Sequence, residues 1–355
     1  MGYEDQAAHD SGDYAYSIRV RDGHGEERTL NPALVVYVWG SKGIAKAAAD
    51  SVNELARVRP DAVALHGGTA DIVANLAGAL TVLRVALDDG NRAPLRWWVG
   101  VGIDGTLDAW HAGKLTAAQV VARHVEVAKA IARVDNVEVI ALNGEGKWAI
   151  RAGSTRSRDD VRALADAVGR AYKQHAPDCV LALSSFGALG YHSDVRAMIE
   201  GLTPHCSAFT GQSYAARPGE VARGVLPKVL ERDERSQEAT ERQGWLRPDE
   251  PSGENGDDSP DDLDRVPTIQ AHKTHATDLC RVAVTRPHVL VWSVPTIGEG
   301  GRADEEGLAA LQAASAIRAE AGTGPDAVRK YQRQERLTVD GSPGPVTRAH
   351  ALGVP

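Results

Sequence analysis

The amino-acid sequence predicts a closed (β/α)8 barrel, the TIM barrel of the α/β class, and three observations lead to this prediction. Short apolar runs rich in β-branched residues recur along the chain, as expected of parallel strands buried on both faces. Helical stretches alternate with these runs, which is the pattern of parallel α/β folds. The chain has 355 residues, a length that suits one barrel of about 250 residues with additions.

Eight apolar runs supply the strands of the predicted barrel. In chain order they are residues 34–39, 62–66, 95–103, 137–142, 179–184, 207–214, 268–272 and 288–294. The predicted helices are residues 45–58, 71–88, 117–134, 158–175, 195–202, 218–239 and 304–321. A doubly wound open sheet is the alternative fold. However, Gly40-Ser41-Lys42-Gly43, after the first strand, matches neither a dinucleotide-binding loop nor a Walker A loop.

Three segments stand apart from the barrel, which we expect to span residues 31–322. Residues 1–30 are predicted to be a polar tail with one short hairpin. Between strands six and seven, residues 247–264 hold eight acidic residues and three prolines with almost nothing apolar. We therefore expect a disordered acidic insertion over residues 245–266. Residues 323–355 are expected to form a short helical C-terminal appendage.

Composition argues against several classes of partner. The formal net charge of −8 disfavours a nucleic-acid partner, which requires a basic surface. The chain begins with a polar, acidic segment that lacks the apolar core of a signal peptide, and we find no apolar stretch long enough for a membrane span. The sequence therefore predicts synthesis in the cytoplasm. Cys179, Cys206 and Cys280 are too few for a disulfide framework and are expected to be buried thiols.

Neither a cofactor nor a metal ion is expected. No cofactor-binding motif is present, and the candidate ligands His66, His272 and His275 do not form a known zinc motif. Ser184-Ser185 ends the fifth strand but lacks the G-x-S-x-G elbow of a serine hydrolase.

Polar and aromatic residues follow most of the predicted strands. In a barrel, the C-terminal ends of the strands meet at one mouth, where barrel enzymes carry their active sites. Aromatic faces for stacking, together with hydroxyl, amide and carboxyl groups, are what carbohydrate binding requires. The mouth candidates are Trp39, His66, Asp104, Asn143, Glu145, Gln212, Tyr214, His272 and Trp292.

Glu145 is the candidate general acid. Glycosidases commonly need a proton donor with a raised pKa, plus a second carboxylate or a substrate amide. Asp104, one strand away, is the candidate second carboxylate. Plainer interpretations remain open, since Glu145 could be a surface carboxylate beside Lys147 and Asp104 part of an Asp-Gly turn.

Three of these strand ends resemble those of barrel glycoside hydrolases of the chitinase-like type. The matching residues are Asn143-Gly144-Glu145 after strand four, Gln212-Ser213-Tyr214 after strand six, and Trp292 on strand eight. The resemblance implies that Glu145 protonates the glycosidic oxygen, while Asn143 and Tyr214 position an acetamido group over Trp292. The family repeats Asp on strand four, where this chain has Ala141 and Asn143. Trp39, His66, Gln212 and His272 complete the expected substrate site.

Residues 325–353 resemble the second half of a three-helix peptidoglycan-binding domain. That family has a helix carrying AV-x-x-[FY]-Q, then L-x-V-D-G-x-x-G-P-x-T and a last short helix. The matching residues are Ala327, Val328, Tyr331, Gln332, Leu337, Val339, Asp340, Gly341, Gly344, Pro345 and Thr347. The pattern predicts Val328 and Tyr331 on one helix face, a tight Asp340-Gly341 turn, and Thr347 starting or capping the last helix. The resemblance implies attachment to the cell wall.

Two functions remain open from the sequence. The first is a glycoside hydrolase-like protein that acts on peptidoglycan or a chitin-type N-acetylated glycan. The second is a catalytically inactive barrel that serves as a wall-binding or structural module of a phage-like or secretion-associated particle, with a protein assembly partner. Because a signal peptide is not seen, both expectations place the chain at the wall after release by lysis or by a dedicated apparatus.

Overall fold

A computed structural model gives the fold. It describes residues 18–21, 26–31, 33–38, 42–88, 94–143, 156–186, 197–198, 201–206, 208–212, 265–266, 268–270, 276–285, 288–292, 305–324 and 326–354.

The strands form one small hairpin and one large parallel sheet. In chain order they are β1 (Ile18–Arg21), β2 (Glu27–Leu30), β3 (Ala33–Val38), β4 (Ala62–Gly68), β5 (Arg96–Gly102), β6 (Val137–Asn143), β7 (Val180–Phe186), β8 (Ala208–Gln212), β9 (Arg265–Val266), β10 (Thr268–Gln270) and β11 (His288–Trp292). β1 and β2 pair antiparallel. The other nine strands pair in parallel in the order β10-β11-β3-β4-β5-β6-β7-β8-β9.

The large sheet closes on itself. β9 and β10 are consecutive in the chain yet stand at opposite ends of the strand order, β10 contacts β8, and β11 contacts β9. Together β9 and β10 form the seventh barrel strand. The prediction of a (β/α)8 barrel is confirmed.

One boundary of the predicted insertion is wrong. Arg265 and Val266 fall inside the range 245–266 but form β9, which pairs with Phe209 and Thr210 of β8. These two residues form part of the seventh strand and cannot belong to a disordered segment. The rest of the predicted insertion, like the predicted helix at 218–239, lies outside the described residues.

Besides a 3₁₀ turn at Thr203–His205 and helical residues at 197–198 and 201–202, nine α-helices have bounds within the described part of the chain. They are α1 (Ile44–Val58), α2 (Thr69–Leu87), α3 (Asp104–His111), α4 (Ala117–Ala132), α5 (Arg158–His175), α6 (Ala276–Thr285), α7 (Glu305–Ala321), α8 (Ala327–Gln334) and α9 (Pro345–Ala351). α4 and α5 begin with capping boxes, Thr116 with Gln119 and Ser157 with Asp160, so their first backbone N–H groups have side-chain acceptors. The sequence did not predict α3 or α6.

The core has two layers separated by the sheet. Leu30, at the end of the hairpin, and the small inward-facing residues of β3, β4, β6 and β7 pack with Tyr37 and Trp98 in one cluster. Trp97 belongs to the second cluster, between strands and helices. Of the adjacent Trp97 and Trp98, only Trp98 faces the barrel interior, since side chains alternate along a strand.

A polar cluster closes the N-terminal end of the barrel. The Arg96 guanidinium donates to the backbone oxygen of Asn31 at 2.8 Å and lies 3.2 Å from the Glu138 carboxylate. Trp98 Nε1 donates to the other oxygen of Glu138 at 3.3 Å. The N-terminal ends of β5 and β6 and the turn before β3 are therefore held together, at the end of the barrel opposite the mouth.

α2 is apolar enough, by length and composition alone, to cross a membrane. The mean hydropathy of its 18-residue window is 1.6, and 28% of that window is buried. The sequence analysis missed this property. However, α2 connects the adjacent parallel strands β4 and β5 and packs against α1 and α4, which is the place of a barrel helix.

The three cysteines are buried and form no disulfide. Burial raises the pKa of the Cys179 thiol to about 11 and that of Cys280 to about 12. Thiols with such pKa values are poor nucleophiles at neutral pH.

α7 serves both the barrel and the C-terminal segment. It follows the eighth barrel strand, packs against α1 and α6, and also contacts α8 and α9. Val328 and Tyr331 share the buried face of α8. Gly341 has φ of +74°, the left-handed conformation that suits a tight turn. Thr347 lies inside α9, whose N-cap residue is Gly344, so the prediction that Thr347 begins or caps this helix is wrong.

Candidate functional site

The strand register places several of the predicted site residues at one end of the barrel. Gly102 pairs with Asn143, and Asn143 pairs with Ser184. Tyr37 pairs with Trp292, the last residue of β11. Because all these strands are parallel, the positions lie at the C-terminal mouth of the barrel.

Tyr37 of β3 and His66 of β4 form a hydrogen-bonded pair at this mouth. Tyr37 Oη and His66 Nδ1 form a hydrogen bond, and the two ring centroids are 5.6 Å apart. Tyr37 is buried, and its neighbour His66 keeps partial exposure. Burial lowers the pKa of His66 to about 4, so the imidazole is uncharged at neutral pH.

Two glycines of β5 make room for this pair. A Cβ atom at Gly100 would lie 2.7 Å from His66 Nδ1 and 2.8 Å from Tyr37 Oη. A Cβ atom at Gly102 would lie 3.1 Å from His66 Nε2. These distances are shorter than ordinary van der Waals contacts, so side chains at 100 and 102 would displace the imidazole. Neither glycine was predicted as a site residue, although the Gly-Val-Gly ending of an apolar strand signals close approach of another group.

Asn143 ends β6 next to these glycines. Its side chain is buried, with 5% of the residue exposed. Its backbone oxygen accepts a hydrogen bond from Ile103 N at 3.2 Å, which extends the β5–β6 pairing to the rim. Asn143, two residues before Glu145 in the sequence, is therefore held next to the C-terminal end of β5.

The far end of the segment that carries Glu145 is also fixed. Residues 144–155 lie outside the described part of the chain. Directly after them, the Arg156 guanidinium lies 4.8 Å from the Trp110 ring centroid, and its Nη2 donates to Trp110 O at 3.0 Å. Trp110 is buried in α3. Both flanks of this segment are thus attached to β5 or to the helix that follows it.

A third contact joins the loops after β3 and β4. Asp71, in the first turn of α2, accepts hydrogen bonds from Ile44 N at 2.8 Å and Asn75 Nδ2 at 2.7 Å. Asp71 therefore caps the N-terminus of α1, and Gly43, with φ of +95°, lets the chain pass beside its carboxylate. Asp71 is a structural carboxylate of the mouth.

The remaining predicted site residues fall into two groups. Asp104 is the first residue of α3, and Gln212 and Trp292 are the last residues of β8 and β11. Asp104 thus begins a helix, which replaces the Asp-Gly turn considered from the sequence. The predicted site residues Trp39, Glu145, Tyr214 and His272 lie outside the described residues. Among the residues that the structure does describe, no three His, Cys, Asp or Glu side chains lie close enough to hold a metal ion.

Comparison with solved structures finds similar barrels of low sequence identity. A β-mannanase from the blue mussel Mytilus edulis is 10% identical with a TM-score of 0.46, over 85% of this chain and 96% of that one. A GH5_18 variant from Streptomyces cattleya, in complex with Manβ1-4GlcNAc, is 14% identical with a TM-score of 0.47, over 78% and 76%. The catalytic domain of the major endoglucanase of Xanthomonas campestris is 14% identical with a TM-score of 0.44, over 84% and 99%.

No protein-family model and no curated protein matches the sequence. The three structures have TM-scores below 0.5, so their activities do not carry over to this chain.

Proposed function

We propose that this protein is a glycoside hydrolase-like barrel that acts on an N-acetylated glycan of the peptidoglycan or chitin type. Glu145 is the general acid, Asp104 is the second carboxylate, and Asn143 and Tyr214 position the substrate. Trp39, His66, Gln212, His272 and Trp292 bind the sugar rings. No cofactor takes part in this proposal.

The observation that carries the proposal is the convergence of uncharged polar groups at the mouth. Tyr37 and His66 form a neutral hydrogen-bonded pair, and Asn143 adds an amide at the neighbouring strand end. Sugar hydroxyl and acetamido groups are neutral, so uncharged donors and acceptors can bind them without the large cost of desolvating a charge. An anionic or cationic substrate would call for a charged partner instead.

The position of Glu145 supports its assignment. In the sequence it follows Asn143, the last residue of the fourth barrel strand, by two residues, and barrel enzymes carry catalytic residues directly after the strand ends. Both flanks of its segment are anchored to the β5–α3 unit through Ile103 and Trp110. A catalytic acid requires such fixed support to remain within reach of the glycosidic oxygen.

The test is digestion of purified cell walls and of chitin by the wild type and by Glu145→Gln. We expect the substitution to lower release of soluble fragments by at least about 100-fold, because general acid catalysis contributes roughly that much. Glu126→Gln is the matched control, since Glu126 is an exposed carboxylate of α4 that forms a surface ion pair with Lys129. Equal digestion by the wild type and Glu145→Gln would refute the assignment.

A second function is favoured by one observation at the same mouth. Position 143 carries a buried amide, where the chitinase-like pattern has a carboxylate that would tune the acid. A barrel without that charge fits a wall-binding or structural module of a phage-like or secretion-associated particle. Co-sedimentation with insoluble peptidoglycan, without fragment release by the wild type, would favour this module over the enzyme.

A further inference from the structure

The Tyr37–His66 pair has a geometry that the proposed catalytic roles do not use. Tyr37 is buried and lies next to His66 Nδ1. His66 Nε2 has no hydrogen-bond partner among the described residues, and the side chain retains partial exposure. One nitrogen of the ring is therefore occupied by the protein, and the other is left for a group outside the fold.

The glycines show which way the ring points. The Cβ position of Gly100 is closest to Nδ1, whereas that of Gly102 is closest to Nε2. Gly102 lies two residues farther along β5, nearer the C-terminal mouth, and Asn143 is its partner on β6. The imidazole therefore runs along the strand direction, with Nδ1 toward the barrel interior and Nε2 toward the mouth.

The chemistry of the pair decides where the proton lies. A phenol is a stronger hydrogen-bond donor than a neutral imidazole N–H, because its pKa of about 10 is far lower than that of the ring N–H. The stable arrangement is a phenolic O–H that donates to Nδ1. The remaining proton of the neutral ring is then on Nε2, since a neutral imidazole has one donor and one acceptor nitrogen.

We infer that Tyr37 is a positioning residue that holds His66 in the tautomer with its proton on Nε2 and directs this N–H toward a ligand oxygen in the space left by Gly102. The class of ligand rests on the proposed function, in which it is a sugar hydroxyl or acetamido oxygen. The tautomer itself is a property of the ligand-free protein.

The first measurement is the tautomer of His66, by long-range ¹H–¹⁵N correlation spectra of ¹⁵N-histidine-labelled protein at pH 7. The His66 signals are assigned by their loss in His66→Gln. We expect a protonated Nε2 and an unprotonated Nδ1 in the wild type, and a mixture of tautomers in Tyr37→Phe. The signals of the buried His124 report whether each variant keeps its fold. A protonated Nδ1 in the wild type, or an unchanged ratio in Tyr37→Phe, would overturn the inference.

The second measurement uses the β-1,4-linked hexamer of N-acetylglucosamine as the probe. We expect its binding to shift the His66 Nε2–H signal, and Gly102→Ala to weaken binding by about tenfold, the value of one hydrogen bond. Gly78→Ala is the matched control, because a Cβ at Gly78 of α2 meets no atom within 4 Å.

The outcomes separate the two proposals. Binding of the hexamer that leaves the His66 signals unmoved, or that Gly102→Ala does not weaken, would overturn the ligand-directed role of His66 while leaving the glycan proposal intact. Failure of the hexamer to bind the wild type would count against the chitin-type substrate of the proposed function. In that case the spectra of the ligand-free protein still confirm or refute the role of Tyr37.

Discussion

The buried residue His124 makes the stability of this fold depend on pH. The ring lies between α4 and α5, with Nδ1 2.9 Å from Tyr172 Oη. Its Nε2 has no hydrogen-bond partner in the described part of the chain. Burial lowers the pKa of His124 to about 4 from its ordinary 6.5. The folded state therefore binds a proton less readily than the unfolded state does.

This shift has a defined sign. The stability contributed by neutral His124 is fully present above about pH 6.5 and is lost as the pH falls toward 4. At pH 5 the loss is about 2 kcal/mol for one such histidine. We expect His124→Gln to reduce the fall in unfolding free energy between pH 7 and pH 5 by that amount, measured by urea denaturation. His350→Gln, at an exposed position of α9, is the control and should keep the full fall.

Gln332 is the residue on which the C-terminal turn depends. Its buried amide nitrogen donates to Asp340 Oδ1 at 2.8 Å, Ser342 O at 3.0 Å and Thr347 Oγ1 at 3.1 Å. Its amide oxygen accepts from Gly341 N at 2.9 Å. The glutamine of the peptidoglycan-binding pattern thus has a structural reason, since one side chain satisfies four groups of the loop and of α9.

We expect Gln332→Ala to cost about 2–4 kcal/mol of unfolding free energy, because it leaves buried polar groups without partners and creates a cavity. Hydrogen exchange of the Gly341 amide should accelerate, since its acceptor is removed. Gln334→Ala, two residues along on the exposed side of α8, should change neither quantity. Unaltered exchange at Gly341 in Gln332→Ala would show that the turn holds without this side chain.

At the scale of an element, α3 links two loops of the mouth. Trp110, near its end, is buried, and Arg156 lies over its ring and donates to its backbone oxygen. A lysine cannot reproduce both contacts, because it lacks the planar guanidinium group. The segment that contains Glu145 begins at Asn143 and ends at Arg156, so this contact fixes where the segment returns to the barrel.

We expect Arg156→Lys to lower the unfolding free energy by about 1 kcal/mol, the sum of a weak cation–π contact and one hydrogen bond. Chemical denaturation measures this loss. Arg162→Lys is the matched control, since Arg162 forms an exposed ion pair with Asp159, and exposed ion pairs contribute little. Equal stability of both variants would show that the Trp110 contact does not hold the loop.

The sequence predicted the strands better than the site, and particular residues show why. Trp97 and Trp98 sort to opposite faces because alternation is a property of every strand. The Asp-Gly turn that the sequence left open for Asp104-Gly105 rests on the local preference of both residues for turns. The packing of Trp110 outweighs that preference and makes a helix there. The roles of Gly100 and Gly102 depend on His66 of the neighbouring strand β4. No pattern within β5 alone contains that contact.

At the scale of the whole molecule, α7 joins the C-terminal segment to the barrel. Arg318, buried on α7, lies 3.1 Å from the Asp61 carboxylate and donates to Ala283 O at 2.8 Å. Asp61 also accepts from Leu34 N at 2.7 Å, which connects α7 to the starts of β3 and β4. Removing one partner of such a pair leaves a buried charge unsatisfied, so the last barrel helix is part of the barrel's core.

The C-terminal segment continues this attachment. Gly324 N donates to Val284 O at 3.2 Å, and Arg348 Nη1 donates to Thr277 Oγ1 at 2.6 Å, so α6 carries contacts from both ends of the segment. Val328 and Tyr331 of α8 are buried in the same cluster as the barrel helices. A segment held in this way contributes to the barrel's own stability, whatever it binds.

Deleting residues 326–355 tests that conclusion. We expect the full chain to unfold in one calorimetric transition and the shortened chain to melt at a lower temperature, because the deletion exposes the apolar surface that Val328 and Tyr331 cover. Val346→Ser is the control, since Val346 is 73% exposed and its loss should leave the transition in place. An autonomous wall-binding domain would instead give a second transition in the full chain and leave the barrel transition unchanged after deletion. For that reason, wall association is better tested with point variants on the exposed surface of the segment than with its removal.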